Sequence, residues 1–220
     1  MVIICTGKLA NTTVGHTDHA MAYAAGFQKL GHEVYVMDRV SSGRCLDDHG
    51  RRVPFEQWKG GDHFEQIARS YGLWPRCCLI YKQGAATRGM SFAEAVDVAR
   101  RCDLLLTRSG EIHKVPAVFE RARRRVYCDG NPGATQVHAH QQNGTFDALD
   151  RHEVLFTLGL NIGSDSCPIP TDGRRWHPLP RPVFLPMWPT AIDRGHRPFT
   201  TVSSWKEGRA KASCRRGQAC

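Results

Sequence analysis

The chain has 220 residues, 41% of them apolar and 23% charged, with a net charge of +9. That is enough for one generous domain, or one domain and part of another, with a sizeable core. No run approaches the ~18–20 apolar residues of a membrane-spanning helix. Met1 to Cys5 is too short for a secretory signal and has no basic flank, so a cytoplasmic location is expected.

Val2 to Cys5 is a short apolar run that predicts a buried parallel strand. A polar loop from Gly7 to Gly15 follows. The helix after it has Thr17 or Asp18 as N-cap, an apolar face of Met21, Ala24, Ala25 and Gln28 to Leu30, and Gly31 as its C′ residue. Val34 to Met37 reads as the next strand, closed by Asp38, which completes a βαβ unit. Arg39 to Gly61 reads as loop, His63 to Tyr71 as a short helix and Cys77 to Tyr81 as a third strand. Ser91 caps a helix that runs through Arg101. Asp103 to Thr107 (DLLLT) predicts a buried strand, Val115 to Arg124 a helix, Arg125 to Asp129 (RVYCD) a strand, Gln136 to Asp150 a partly helical stretch, and Glu153 to Thr157 (EVLFT) a strand. Strands alternating with helices imply an α/β fold, a Rossmann-like and mainly parallel sheet with helices on both faces.

Nine cysteines are scattered without a C-x-x-C, and reduced structural thiols are expected. The basic run Arg121 to Arg125 falls at the end of the predicted helix, where the macrodipole favours cations. Exposed aromatics do not interleave with the basic runs, so no nucleic-acid partner is expected.

A parallel sheet gathers its ligand at the carboxyl edge of the strands, so the residues after each strand matter most. DLLLT leads into Arg108-Ser109-Gly110-Glu111-Ile112-His113. RVYCD leads into Gly130-Asn131-Pro132-Gly133, and EVLFT into Leu158-Gly159-Leu160-Asn161-Ile162-Gly163. Gly, Ser and Asn recur in these turns, as ordinary βα turns also require. Neither G-x-G-x-x-G nor G-x-x-x-x-G-K-[ST] occurs, and no cofactor is expected. His16 and His113 are candidate general bases, or else a helix-start and a surface histidine. Asp129 is either a base or the cap of the turn that follows it. His138 and His140 are read as sharing one face of an extended segment, but with no third ligand nearby no metal site is expected.

The opening strand, loop and small-residue helix with "LGHEVYVMD", together with DLLLT-x-SG, "VYCDGNPGATQ" and "LFTLGLNIGSDSCPIPTDGRRWHPLPRPVFLPMWP" followed by "FTTVSSW", resemble a GT-B-fold glycosyltransferase over residues 1–205. The resemblance implies that residues 1–180 are the acceptor-side Rossmann-like domain and 181–197 a Pro-rich linker. Residues 198–220 would be the first strand of the donor domain, from Phe199 to Ser203, and a basic tail. It further implies acceptor-facing residues Gly15, His16, Thr17, Ser109, Gly110, His113, Asp129, Asn131, Asn161 and Gly163, with His16, His113 and Asp129 the candidates for catalysis. The expected partner is a sugar or another hydroxyl acceptor. A nucleotide-sugar donor would bind only if a second domain or chain supplied its site, so this chain alone is expected to be inactive. The alternative is a non-enzymatic α/β module that binds a small ligand or partner.

Overall fold

The apolar run at the start is strand β1 (Val2–Thr6). After it come α1 (Val14–Lys29), β2 (Glu33–Val40), α2 (Lys59–Ser70), β3 (Cys77–Tyr81), β4 (Ala86–Gly89), α3 (Phe92–Arg100), β5 (Leu104–Thr107), α4 (Pro116–Phe119), β6 (Arg125–Asp129), α5 (Ala134–Gln141), α6 (Asp147–Asp150), β7 (Val154–Thr157) and β8 (Trp176–Pro178). This computed structural model describes residues 1–10, 14–108, 111–142, 144, 146–188, 190 and 195, and of residues 14–16 only the backbone. The strands form one sheet of order β4-β3-β2-β1-β5-β6-β7-β8. Every pairing is parallel except β3 with β4, whose antiparallel register closes one edge.

Alternation along the strands builds the core. Ile3, Cys5, Val34, Val36, Cys77, Leu79 and Leu106 face Ala20, Met21 and Ala24 of α1 and Phe64 and Ala68 of α2. Ile4, Tyr35, Met37, Cys78, Ile80 and Leu105 face Ala95, Val98 and Ala99 of α3 and Val118 and Phe119 of α4. Tyr127, Leu155 and Trp176 pack with Ala139 of α5 and Leu149 of α6. Each fully buried aliphatic side chain contributes about 1.5–3 kcal/mol. The sheet is therefore Rossmann-like, covered on both faces.

Seven cysteines are free thiols among the described residues, six of them buried. Burial raises the thiol pKa of Cys77, Cys78 and Cys128 to about 12 and that of Cys102 to about 11. They pack as small hydrophobes.

Helix α1 begins at Val14, so Thr17 and Asp18 lie inside it rather than capping it. Its end is as predicted. Gly31 has φ +82°, its N–H donates to the Gln28 carbonyl, and the His32 N–H donates to Phe27, which together make a Schellman cap. Leu30, expected on the apolar face, is 72% exposed, because the cap turns it outward. Strand β2 continues past Asp38 to Val40. The predicted helix over 115–124 shortens to α4. The Arg123 N–H donates to the Cys102 carbonyl and the Leu105 N–H to the Arg124 carbonyl, which draws the basic run into the start of β6. Its arginines therefore do not cap a helix terminus, and Arg125 instead bonds Glu153. The expected strand from Phe199 to Ser203 lies outside the described residues.

Candidate functional site

Strand β1 is flanked by β2 on one side and β5 on the other, so the chain winds away from it in both directions. In such a sheet the loops after the two central strands part and leave a crevice at the carboxyl edge. Here the crevice is shaped by one buried carboxylate. Asp38, 3% exposed, reaches across from β2 to the loop after β1. Its Oδ1 accepts from the Gly7 N–H at 3.0 Å and its Oδ2 from the Leu9 N–H at 2.7 Å. Burial pushes this carboxyl up in pKa, against the backbone amides and the nearby Lys8. Gly7 makes room for helix α1, since a Cβ there would lie 2.5 Å from the Ala20 Cβ. Between the two anchored amides Lys8 adopts φ +59°, in the left-handed region that non-glycine residues avoid.

Beside this loop is a cavity of about 290 Å³. Ala10, Val40, Leu79 and Trp58 give it apolar walls, and Lys8, Asp38, Arg39, Arg44, Asp48, Lys59 and Glu111 give it charge. Gly60 lies against the Trp58 ring, where a Cβ would come within 2.2 Å of it. Arg39, at the end of β2, forms an ion pair with Glu111, in the segment after β5. This pair ties the two sides of the crevice together. Burial acts to raise the Glu111 pKa, but the Lys114 ammonium at 2.9 Å and the Arg39 guanidinium outweigh it, and the carboxyl stays below its usual range. Lys59 pairs with Asp48 on the rim, where both are exposed. The Arg44 backbone is bonded within its turn, its N–H donating to the Ser41 carbonyl at 3.0 Å, but the Lys8 ammonium and the Arg44 guanidinium form no hydrogen bond or ion pair among the described residues.

A second, narrow crevice lies farther along the same edge, lined by His19, Tyr23, Arg108, Cys128, Asp129 and Thr157. Arg108 follows β5 directly and is buried, and desolvation lowers its guanidinium pKa.

The candidates named from sequence are dispersed. Asp129 is buried and organises the β6–α5 turn. Its Oδ1 accepts from the Asn131 N–H at 2.9 Å and the Thr135 hydroxyl at 2.7 Å. Its Oδ2 accepts from the Gln136 amide and the Thr157 hydroxyl, each at 3.0 Å. This is the turn-capping alternative, realised with four donors, and it brings Asn131 into the same turn. His113 is buried under the other face, in a 3-10 turn, 3.9 Å from Asp147, and burial lowers its pKa. Thr17 is buried within α1. Asn161 and Gly163 are exposed in the turn after β7, with Gly163 at φ +90°. The backbones of Gly15 and His16 lie in the first turn of α1. Ser109 and Gly110 lie outside the described residues. His138 and His140 sit two positions apart on helix α5, not on an extended segment. His138 packs edge-on against Phe146, and the His140 Nδ1 is 2.7 Å from Asp172. None of the sequence candidates whose side chains are described lines the 290 Å³ cavity.

The residues that do line it carried a weak signal. Asp38 and Arg39 interrupt an otherwise apolar strand, and a carboxylate inside a buried strand requires partners. Glu111 stands three residues after Arg108, in a turn already singled out. Trp58 and Arg44 come from a stretch read only as loop.

No family model matches this chain, and no curated protein matches it. Among solved structures, an alpha-glucosyltransferase in complex with UDP and a 13-mer DNA containing a central A:G mismatch aligns with 14% identity and a TM-score of 0.36. The alignment covers 71% of this chain and 36% of that one. An alpha-glucosyltransferase in complex with UDP aligns with 13% identity and a TM-score of 0.37, covering 71% of this chain and 34% of that one. This chain thus spans about a third of the length of each.

Proposed function

We propose that this chain is the acceptor-side domain of a glycosyltransferase, which holds a hydroxyl-bearing acceptor while a nucleotide-sugar donor is bound by a second domain or chain. The observation that carries this reading is the cavity at the carboxyl edge of β1, β2 and β3, with its Trp58 wall and charged rim. Its 290 Å³ falls just below the roughly 300–1,000 Å³ range of small-molecule sites. That suits one sugar ring. An aromatic face packs against the C–H face of a sugar, and charged groups bond its hydroxyls. A nucleotide diphosphate sugar is several times larger and needs further surface. The candidates for the base that takes the acceptor proton are still His16, His113 and Asp129, but His113 and Asp129 do not line this cavity, so a base among them would require the acceptor to reach beyond it. Of these, Asp129 already has both oxygens engaged and His113 is buried.

The reading is tested by titrating the 220-residue chain with glucose and with UDP-sugars, following ligand signals by NMR and assaying UDP release. Expected are weak glucose binding, abolished by Trp58→Ala, and no UDP release from the chain alone. Turnover of a UDP-sugar by the isolated chain would refute its dependence on a donor partner, and saturable binding of no saccharide would refute the acceptor reading. One observation favours a second reading, that of a non-enzymatic ligand-binding module. The lining residues found among the described ones run from Lys8 to Glu111, within one domain. A small ligand that binds there while no saccharide does would select it.

A further inference from the structure

Four cations and three carboxylates line the cavity, but they are not equivalent. Arg39 is neutralised by Glu111 and Lys59 by Asp48. Asp38 is turned toward the Gly7 and Leu9 amides. That leaves the side chains of Lys8 and Arg44, from the loop after β1 and the 3-10 turn after β2, as cations with no hydrogen-bonded or ion-paired partner among the described residues. Lys8 is only half-buried, and its charge is felt weakly by the buried Asp38 carboxylate, which burial and the backbone amides govern first.

We infer that Lys8 and Arg44 form an oxyanion subsite, and that the ligand of this cavity is a phosphorylated monosaccharide or a polyol phosphate of that size. Two unpaired cations on separate loops match the charge of a phosphomonoester, about −1.5 to −2 at neutral pH, better than the single charge of a carboxylate. Arginine grips phosphate with two parallel N–H donors, and lysine adds a point charge from the other side. The apolar walls of Ala10, Val40, Leu79 and Trp58 lower the local dielectric and strengthen both contacts. The geometry of the loop serves the same end. With its neighbours' amides bound to Asp38, Lys8 is fixed at φ +59° on the cavity lining rather than left on a free loop. The phosphate would anchor one end of the ligand and leave its hydroxyls toward Trp58 and Glu111. This inference rests on the acceptor reading for the sugar part but not for the anion.

The test is calorimetric titration of the full chain at low salt with glucose 6-phosphate, glucose, glucuronate and inorganic phosphate, repeated for Lys8→Met and Arg44→Met. Circular dichroism would confirm that each variant is folded. Glucose 6-phosphate should bind tightest, compete with inorganic phosphate, and weaken roughly tenfold or more in each variant, a clearly larger factor than any loss of glucose binding. If glucose binds and its 6-phosphate binds no better, the anion subsite is refuted and the acceptor reading survives. If inorganic phosphate binds through Lys8 and Arg44 and no sugar adds to it, the acceptor reading fails and the subsite stands. Equal binding of glucuronate and the phosphate ester would overturn the assignment to phosphate. Unchanged phosphate affinity in both variants would overturn the subsite itself. Should Lys8→Met fail to fold, Arg44→Met, on an exposed turn, decides alone.

Discussion

Asp38 shows how one side chain sets the shape of a site without standing at its centre. Asp38→Asn keeps the size but turns an N–H₂ toward one of the two loop amides. We expect a loss of about 2–3 kcal/mol in urea unfolding, and a rise in amide exchange confined to Gly7 and Leu9, with β1 itself unchanged. Unchanged exchange there would mean that the loop is held by something else. His152 supplies the pH dependence. It is buried between Phe119 and Tyr127, with ring centroids 5.0 and 5.4 Å away, and its Nε2 is 2.9 Å from the Thr107 hydroxyl. Burial lowers its pKa from 6.5 to about 4. The unfolded chain therefore takes up the proton first. Stability is full above about pH 6.5 and falls as pH drops toward 4, by on the order of 3 kcal/mol. His113, also lowered by burial, acts in the same direction. Urea midpoints between pH 7 and 4.5 should slope less in His152→Gln, and an equal slope would refute the assignment. At this scale the sequence was least legible. Asp129 was singled out for its position at a strand end and was open to either role, and nothing in the sequence told that Thr135, Gln136 and Thr157 would surround it.

Elements were far more readable, because periodicity and caps are local. Ser91 accepts from the Glu94 N–H while the Glu94 carboxylate accepts from the Ser91 N–H, a capping box visible in the spacing itself. Ser91→Ala should cost about 1 kcal/mol, measured by chemical denaturation. Strands β4 and β8 escaped notice because they are four and three residues long and owe their conformation to partners far away in sequence. Gly89 makes β4 possible. It has φ +90°, and a Cβ there would lie 2.1 Å from the Cys77 carbonyl oxygen. Gly89→Ala should cost at least about 2 kcal/mol and detach β4 first. Equal amide protection of β3 and β4 in the variant would contradict this.

The whole molecule was legible as a fold and illegible as a site. Alternating strands and helices announce a doubly wound sheet. The cavity, by contrast, is assembled from a bent loop, a strand end, a stretch without periodicity and a turn some 70 residues further on, and no spacing rule links these pieces. Residues Met1–Met187 form one compact unit that holds every core cluster found among the described residues. A chain ending at residue 187 should therefore melt cooperatively within about 4 °C of the full chain, the equivalent of about 1 kcal/mol. A broad or much lower transition would show that later residues stabilise this unit. The central place of β1 also has a consequence in time. During synthesis β1 meets β2 once Val40 has emerged, but its other neighbour ends at Thr107. At roughly 5–20 residues per second the ribosome takes several seconds to bridge that gap. Through that interval the strand that becomes the middle of the sheet is an open edge on the nascent chain.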